Sequence, residues 1–157
     1  MGHTRWFVGV MLASLLAAGV GTAQEPPHPE ARDRCPVCGM FVAKYTNWVA
    51  AVEYKDGTRV FFDGPKDMFR YLHDMDTYAS GRHAEDILEV WVTDYYSTRM
   101  MDAHEVFFVV GSNVMGPMGH ELVPLASAEE AESFRVDHAG DPPLRFEEVT
   151  PDKIPGR

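Results

Sequence analysis

Two tracts rich in aromatic and β-branched residues, Trp48–Tyr54 and Thr58–Phe62, stand on either side of Lys55-Asp56-Gly57. That spacing predicts a β-hairpin, with Gly57 free to take the positive φ of its turn. Asp63-Gly64-Pro65 follows at once and reads as a helix start. Asp63 is the expected cap, and Pro65 sits in the first turn, where its missing N–H does no harm. Met68, Phe69, Leu72 and Met75, with Tyr71 beside them, trace one apolar helical face from about Pro65 to Met75. After a polar loop over Tyr78–Glu85, the tract Ile87–Tyr96 has strand composition and alternation.

The same order then returns. His104–Gly111 predicts a strand, Ser112–His120 a loop, and Glu121–Leu125 a second strand whose Pro124 suits an edge or an end. Ser127-Ala128-Glu129-Glu130 is a capping box opening a helix to about His138, and Leu144–Val149 is a last strand. Phe41–Lys44 adds a brief strand. The expected fold is α+β: two packed ββαβ units with antiparallel sheet, the first over 35–98 and the second over 99–150. Neither half is large enough to bury a good core alone, so the two are expected to pack together.

The ends carry a different message. Arg5, the apolar run from Trp6 to about Ala18 and the small residues Gly21-Thr22-Ala23 predict a signal peptide over 1–23, cleaved after Ala23. The run is shorter than the roughly 20 residues that a membrane span needs. Residues 24–34, with Pro26, Pro27 and Pro29, read as a Pro-rich tether, and 151–157 as a loose tail. The expectation is an exported, soluble, periplasmic protein with no stable membrane span after signal cleavage. No cysteine closes the apolar run, which argues against a lipid anchor there. A formal net charge of −10 gives no attraction to nucleic acid or anionic membrane.

The chemistry lies in two Gly- and Pro-rich segments. The chain's two cysteines fall in Cys35-Pro36-Val37-Cys38-Gly39-Met40, and a thioether cluster follows in Met115-Gly116-Pro117-Met118-Gly119-His120. Three readings of the cysteines are open: a structural disulfide, a redox dithiol and a metal site. A bridge across two residues closes so short a loop that it removes little unfolded-state entropy. Structural zinc prefers four Cys or His ligands, and with no second cysteine pair Zn²⁺ would have to recruit His83, His104 or His120. Cu(I) is satisfied by two or three soft donors, thioethers included. Met68 and Met75 belong to the apolar helical face, and Met100 and Met101 suit packing or a turn. Met115 and Met118, among Gly, Pro and His120, have little to pack against and suit contact with a metal or a partner. Met40 is a further ligand or a cap over the site.

Taken together, Cys35-Pro36-Val37-Cys38-Gly39-Met40, Asn47-Trp48-Val49-Ala50, Phe62-Asp63-Gly64-Pro65-Lys66-Asp67-Met68 and Met115-Gly116-Pro117-Met118-Gly119 resemble the NosL family over about 35–125. The resemblance implies two ββαβ units and a periplasmic copper-binding accessory protein. It would carry Cu(I) for assembly of the copper–sulfide centre of nitrous oxide reductase. The implied partners are that enzyme and/or its ABC-type maturation transporter. The implied pool of metal ligands is Cys35, Cys38, Met115, Met118 and His120, with Cu(I) as cargo and Zn as a weaker or alternative metal. Members of the family are commonly lipoproteins, and this chain departs from them in having no cysteine at the end of its apolar run. The rival functions are a thiol–disulfide oxidoreductase using Cys35 and Cys38, which would show insulin-reduction activity, and a copper-buffering or sensor module without a dedicated client. No Ser/His/Asp set, paired-carboxylate signature or phosphate-cradling glycine loop points to an enzyme.

Overall fold

The computed structural model describes residues 25–156. The expected signal peptide, 1–23, and its cleavage point lie outside the described residues. The first half begins with β1 (Ala50–Tyr54) and β2 (Arg59–Phe62), joined through a turn in which Gly57 has φ +82°. Helix α1 (Pro65–His73) and the short α2 (Met75–Tyr78) follow, then β3 (Ile87–Thr93) and β4 (Met100–Asp102). These strands form one antiparallel sheet in the order β2-β1-β3-β4. β1 runs through its middle and is buried along its whole length, as its Ala-Ala-Val-Glu-Tyr composition allows. α1 lies against β1 and β2, with Met68, Phe69 and Tyr71 directed into the core.

The second half contains β5 (Phe107–Val109), the small hairpin β6 (Met115–Gly116) and β7 (Gly119–His120), β8 (Val123–Leu125) and α3 (Ala128–Asp137). β5 pairs antiparallel with β8, and α3 packs on that pair. Ser127 caps α3 by accepting from the Glu130 N–H at 3.2 Å, as its capping-box sequence predicts. Alternation along β5 splits its side chains between two cores. Phe108 enters the large core and meets Phe69 edge-on at 5.1 Å, while Val109 joins Val123, Leu125, Ala131 and Phe134 under α3. The expected α+β architecture, two packed halves with antiparallel sheet, is the one observed.

Several local expectations are corrected. The stretch expected as a strand at Phe41–Lys44 makes a single bridge, Phe41 to Arg34, and then a 3-10 turn over Val42–Lys44. The strand expected over Leu144–Val149 shrinks to one bridge, Leu144 to Phe108, followed by a 3-10 turn at Phe146–Glu148. Past Leu144 the Arg145 N–H donates to Glu148 Oε2 at 2.7 Å, so the chain turns instead of extending the ladder. The first sheet extends past residue 98, because Met100–Asp102 pairs with β3. α1 stops at His73, and Asp74 caps α2 by accepting from the Thr77 N–H at 3.3 Å. The segment after Thr150, expected to be loose, is tied down. Pro151–Lys153 forms a 3-10 turn, Ile154 packs on the large core and the Pro155 carbonyl accepts from Arg70 Nη2 at 2.6 Å. The loop expected over Ser112–His120 carries the β6–β7 hairpin.

Candidate metal centre

The Cys35–Met40 loop is closed by its own backbone. Cys35 N–H donates to Met40 O at 2.9 Å, and Gly39 N–H donates to Cys35 O at 2.8 Å. Arg34 Nη1 donates to Gly39 O at 2.9 Å, and its guanidinium lies 3.7 Å over the Phe41 ring. The turn needs Gly39 in the left-handed region, at φ +80°. Gly39→Ala should therefore cost about 1–2 kcal/mol, read as a lower thermal unfolding midpoint with the spectrum of the folded chain retained.

Both cysteines are free thiols, and each meets its own carboxylate. Cys35 Sγ donates to Asp67 Oδ2 at 3.4 Å, and Cys38 Sγ donates to Asp63 Oδ1 at 3.1 Å. Ligand atoms of Cys35, Cys38, Asp63 and Asp67 all lie within 4.8 Å of one another. Cys35 is 1 % exposed and Cys38 half-buried. Burial pushes the Cys35 thiol far up from its ordinary value, and the negative Asp63 adds to the effect. Burial also pushes Cys38 up to about 12, with the neighbouring Asp63 and Asp67 carboxylates working in the same direction. Both shifts favour the thiol over the thiolate form.

The two carboxylates come from the start of α1. Asp63 was the expected helix cap, but the capping position falls to Gly64, which makes no side-chain cap bond. The Asp63 side chain serves Cys38 instead. Asp67 lies in the first helical turn, where the helix dipole favours an acid. Its other oxygen accepts from Arg70 Nη1 at 2.9 Å.

The methionine segment reaches the same helical turn from the other half of the chain. In the β6–β7 hairpin Met115 stands opposite His120 and Gly116 opposite Gly119, so Met115 and His120 share one face. Met118 occupies the tip. Met115 is 53 % exposed, His120 is exposed and Met118 is half-buried. The buried Lys66 reaches across: its Nζ donates to Met118 O at 2.6 Å and to His120 O at 2.7 Å. Glu121, also buried, accepts from Lys66 N–H at 2.5 Å and from Leu122 N–H at 3.0 Å through Oε1. Burial pushes the Glu121 carboxyl up to about 8, against the pull of those two backbone donors and of the Lys66 charge.

Of the five residues expected as ligands, the structure brings Cys35 and Cys38 together with two aspartates. It sets Met115 beside His120 and Met118 at the tip of the same hairpin. His120 is not among the groups that enclose the thiols. Met40 is half-buried, and its carbonyl closes the cysteine loop. The other histidines considered for zinc have separate roles. His104 pairs with Glu147 at 3.1 Å, and His83 caps a 3-10 turn at Ala84–Asp86. Sequence reasoning missed Asp63, Lys66, Asp67 and Glu121 as parts of the site. The available signal was the pair of acids at i and i+4 bracketing a lysine, a charged run at the start of a helix with an apolar face.

The NosL family model matches residues 26–154. The copper-binding lipoprotein NosL of Stutzerimonas stutzeri is 28 % identical over 163 residues, spanning 90 % of this chain and 79 % of its own length. The crystal structure of the copper chaperone NosL from Shewanella denitrificans shares the fold, with a TM-score of 0.68 at 22 % identity. That match covers 83 % of this chain and 98 % of the other.

Proposed function

The chain belongs to the NosL family, and from that premise we propose that it is a Cu(I) carrier for assembly of the copper–sulfide centre of nitrous oxide reductase rather than an enzyme. The observation that carries this reading is the thiol–carboxylate cluster of Cys35, Cys38, Asp63 and Asp67, with a hairpin bearing Met115, Met118 and His120 tied through Lys66 to the helical turn that supplies Asp67. The relatives' names supply copper as the metal: one is a copper-binding lipoprotein, the other a copper chaperone. Soft sulfur and imidazole donors suit Cu(I), whereas carboxylate oxygen suits harder ions. Asp63 and Asp67 are therefore read as hydrogen-bond acceptors that orient the thiols, not as copper ligands. Two thiolates with carboxylates would also accept Zn²⁺, so metal competition is part of the test.

A carrier must release its cargo. An exposed hairpin with thioether and imidazole donors offers ligands that can be replaced one at a time by those of a recipient. The recipient in this reading is nitrous oxide reductase and/or its ABC-type transporter, met in the periplasm. Among the described residues, no helix is long and apolar enough to cross a membrane.

The oxidoreductase reading is disfavoured by the thiols themselves. Enzymes of that kind lower the pKa of the attacking cysteine at a helix N-terminus, and here burial raises both. The deciding experiment is an anaerobic Cu(I) titration with X-ray absorption, followed by addition of Zn²⁺. One Cu(I) per chain in a sulfur-dominated shell, not displaced by Zn²⁺, is expected, with no insulin-reduction activity. Displacement by Zn²⁺, or a shell of oxygen donors alone, would overturn the assignment.

A further inference from the structure

We propose that Lys66 and Glu121 are a buried positioning pair that holds the Met115–His120 hairpin on the first turn of α1, and so sets how tightly the hairpin's donors complete the thiol site. The proposal rests on the Cu(I) reading above.

Lys66 is 1 % exposed and Glu121 2 % exposed. Burying ionisable side chains such as these is costly, and apolar residues of similar size often serve stability as well or better. The geometry gives the pair another use. The Lys66 ammonium bonds the carbonyls of Met118 and His120, two of the residues whose side chains are candidate donors. The Lys66 N–H is in turn fixed by Glu121, which follows His120 directly. The hairpin is thus gripped at its tip and at its outgoing strand from one lysine.

The surroundings are shaped to admit this grip. A Cβ on Gly64 would overlap Glu121 Oε2, and a Cβ on Gly116 would lie 3.0 Å from Glu121 Cγ and Oε2. A glycine at each of these two positions therefore lets the Glu121 carboxyl group fit between helix start and hairpin. The residue just before the helix cap, Asp63, and the first turn of α1, through Asp67, face the two thiols. Lys66 lies between those aspartates in sequence, so one helix start fixes the thiols through its acids and the hairpin through its lysine. Groups that orient metal ligands without touching the metal typically contribute about 10–100-fold to affinity.

The test is a double-mutant cycle in anaerobic Cu(I) competition titrations of the full chain. Lys66→Met keeps the stem and removes the donors; it should lower Cu(I) affinity about 10–100-fold and remove the thioether contribution from the X-ray absorption spectrum. In a background already carrying Met115→Leu, Met118→Leu and His120→Ala, the same substitution should change affinity less than about twofold, because the pair acts through the hairpin alone. An equal loss in both backgrounds, or affinity within twofold of the parent in the first, overturns the proposal. Should Lys66→Met fail to fold, Gly116→Ala enters the same cycle, since it crowds Glu121 without removing a charge. If neither folds, the pair is a structural element and the proposal fails. A parent chain that binds no Cu(I) overturns the functional reading itself; a parent that binds while Lys66→Met binds equally well overturns only the positioning role.

Discussion

On the Cu(I) reading, replacing Cys38 by Ala is expected to lower Cu(I) affinity by about 10²–10³-fold, and Cys35→Ala to do the same. The magnitude follows from ligand counting. Small four-ligand structural zinc sites gain about 10–16 kcal/mol in apparent binding free energy, or about 2.5–4 kcal/mol per ligand, and about 1.4 kcal/mol is a factor of ten; the same scale is taken for a thiolate on copper. The thiols are the strongest soft donors in the described site and share one pocket with Asp63 and Asp67. Cys→Ala removes one sulfur without adding bulk, so the fold should survive, and circular dichroism with a thermal scan will check this. Affinity within threefold of the parent in both variants, by competition with a chromophoric Cu(I) chelator, would remove the thiols from the site.

Copper affinity is also expected to rise steeply with pH, by up to about 100-fold per unit between pH 6 and 8, because each proton displaced by the metal adds about one factor of ten per unit. The sign follows from the thiols. Burial raises both, Cys38 to about 12, so each holds its proton across this range, and each must lose it to bind as thiolate. Raising the pH lowers the cost of that loss. In weakly buffered solution, adding one equivalent of Cu(I) should release close to two protons. Zero release, or a flat affinity profile from pH 6 to 8, would mean that the metal binds without the cysteines. In Cys38→Ala the slope should fall to about one factor of ten per unit, which links the two experiments.

Much of the fold was legible because its signals are local. The Trp48–Phe62 hairpin turns on Gly57, and Ser127 caps α3 as its sequence predicts. The expected last strand was not legible, because Leu144–Val149 has strand composition, yet after the single bridge at Leu144 the Arg145 N–H is taken by the Glu148 side chain and the chain turns at Phe146–Glu148. The site divides in the same way. The cysteine and methionine segments announce themselves by composition. Asp63 misled, since an acid before Gly-Pro looks like a helix cap and only the folded chain brings Cys38 to it. Lys66 and Glu121 are 55 residues apart, and no local pattern marks a charge that will be covered by a distant hairpin.

The alternation of β5 limits how this protein can be taken apart. Phe108 completes one hydrophobic interior and its neighbour Val109 the other, on opposite sides of a strand of three residues. A fragment ending before residue 107 would leave the Phe69 ring without Phe108, and a fragment beginning after it would leave α3 without half of its floor. Chimeras exchanging one half for that of a relative must therefore carry this strand together with the α1 surface it touches, or neither portion will stand alone.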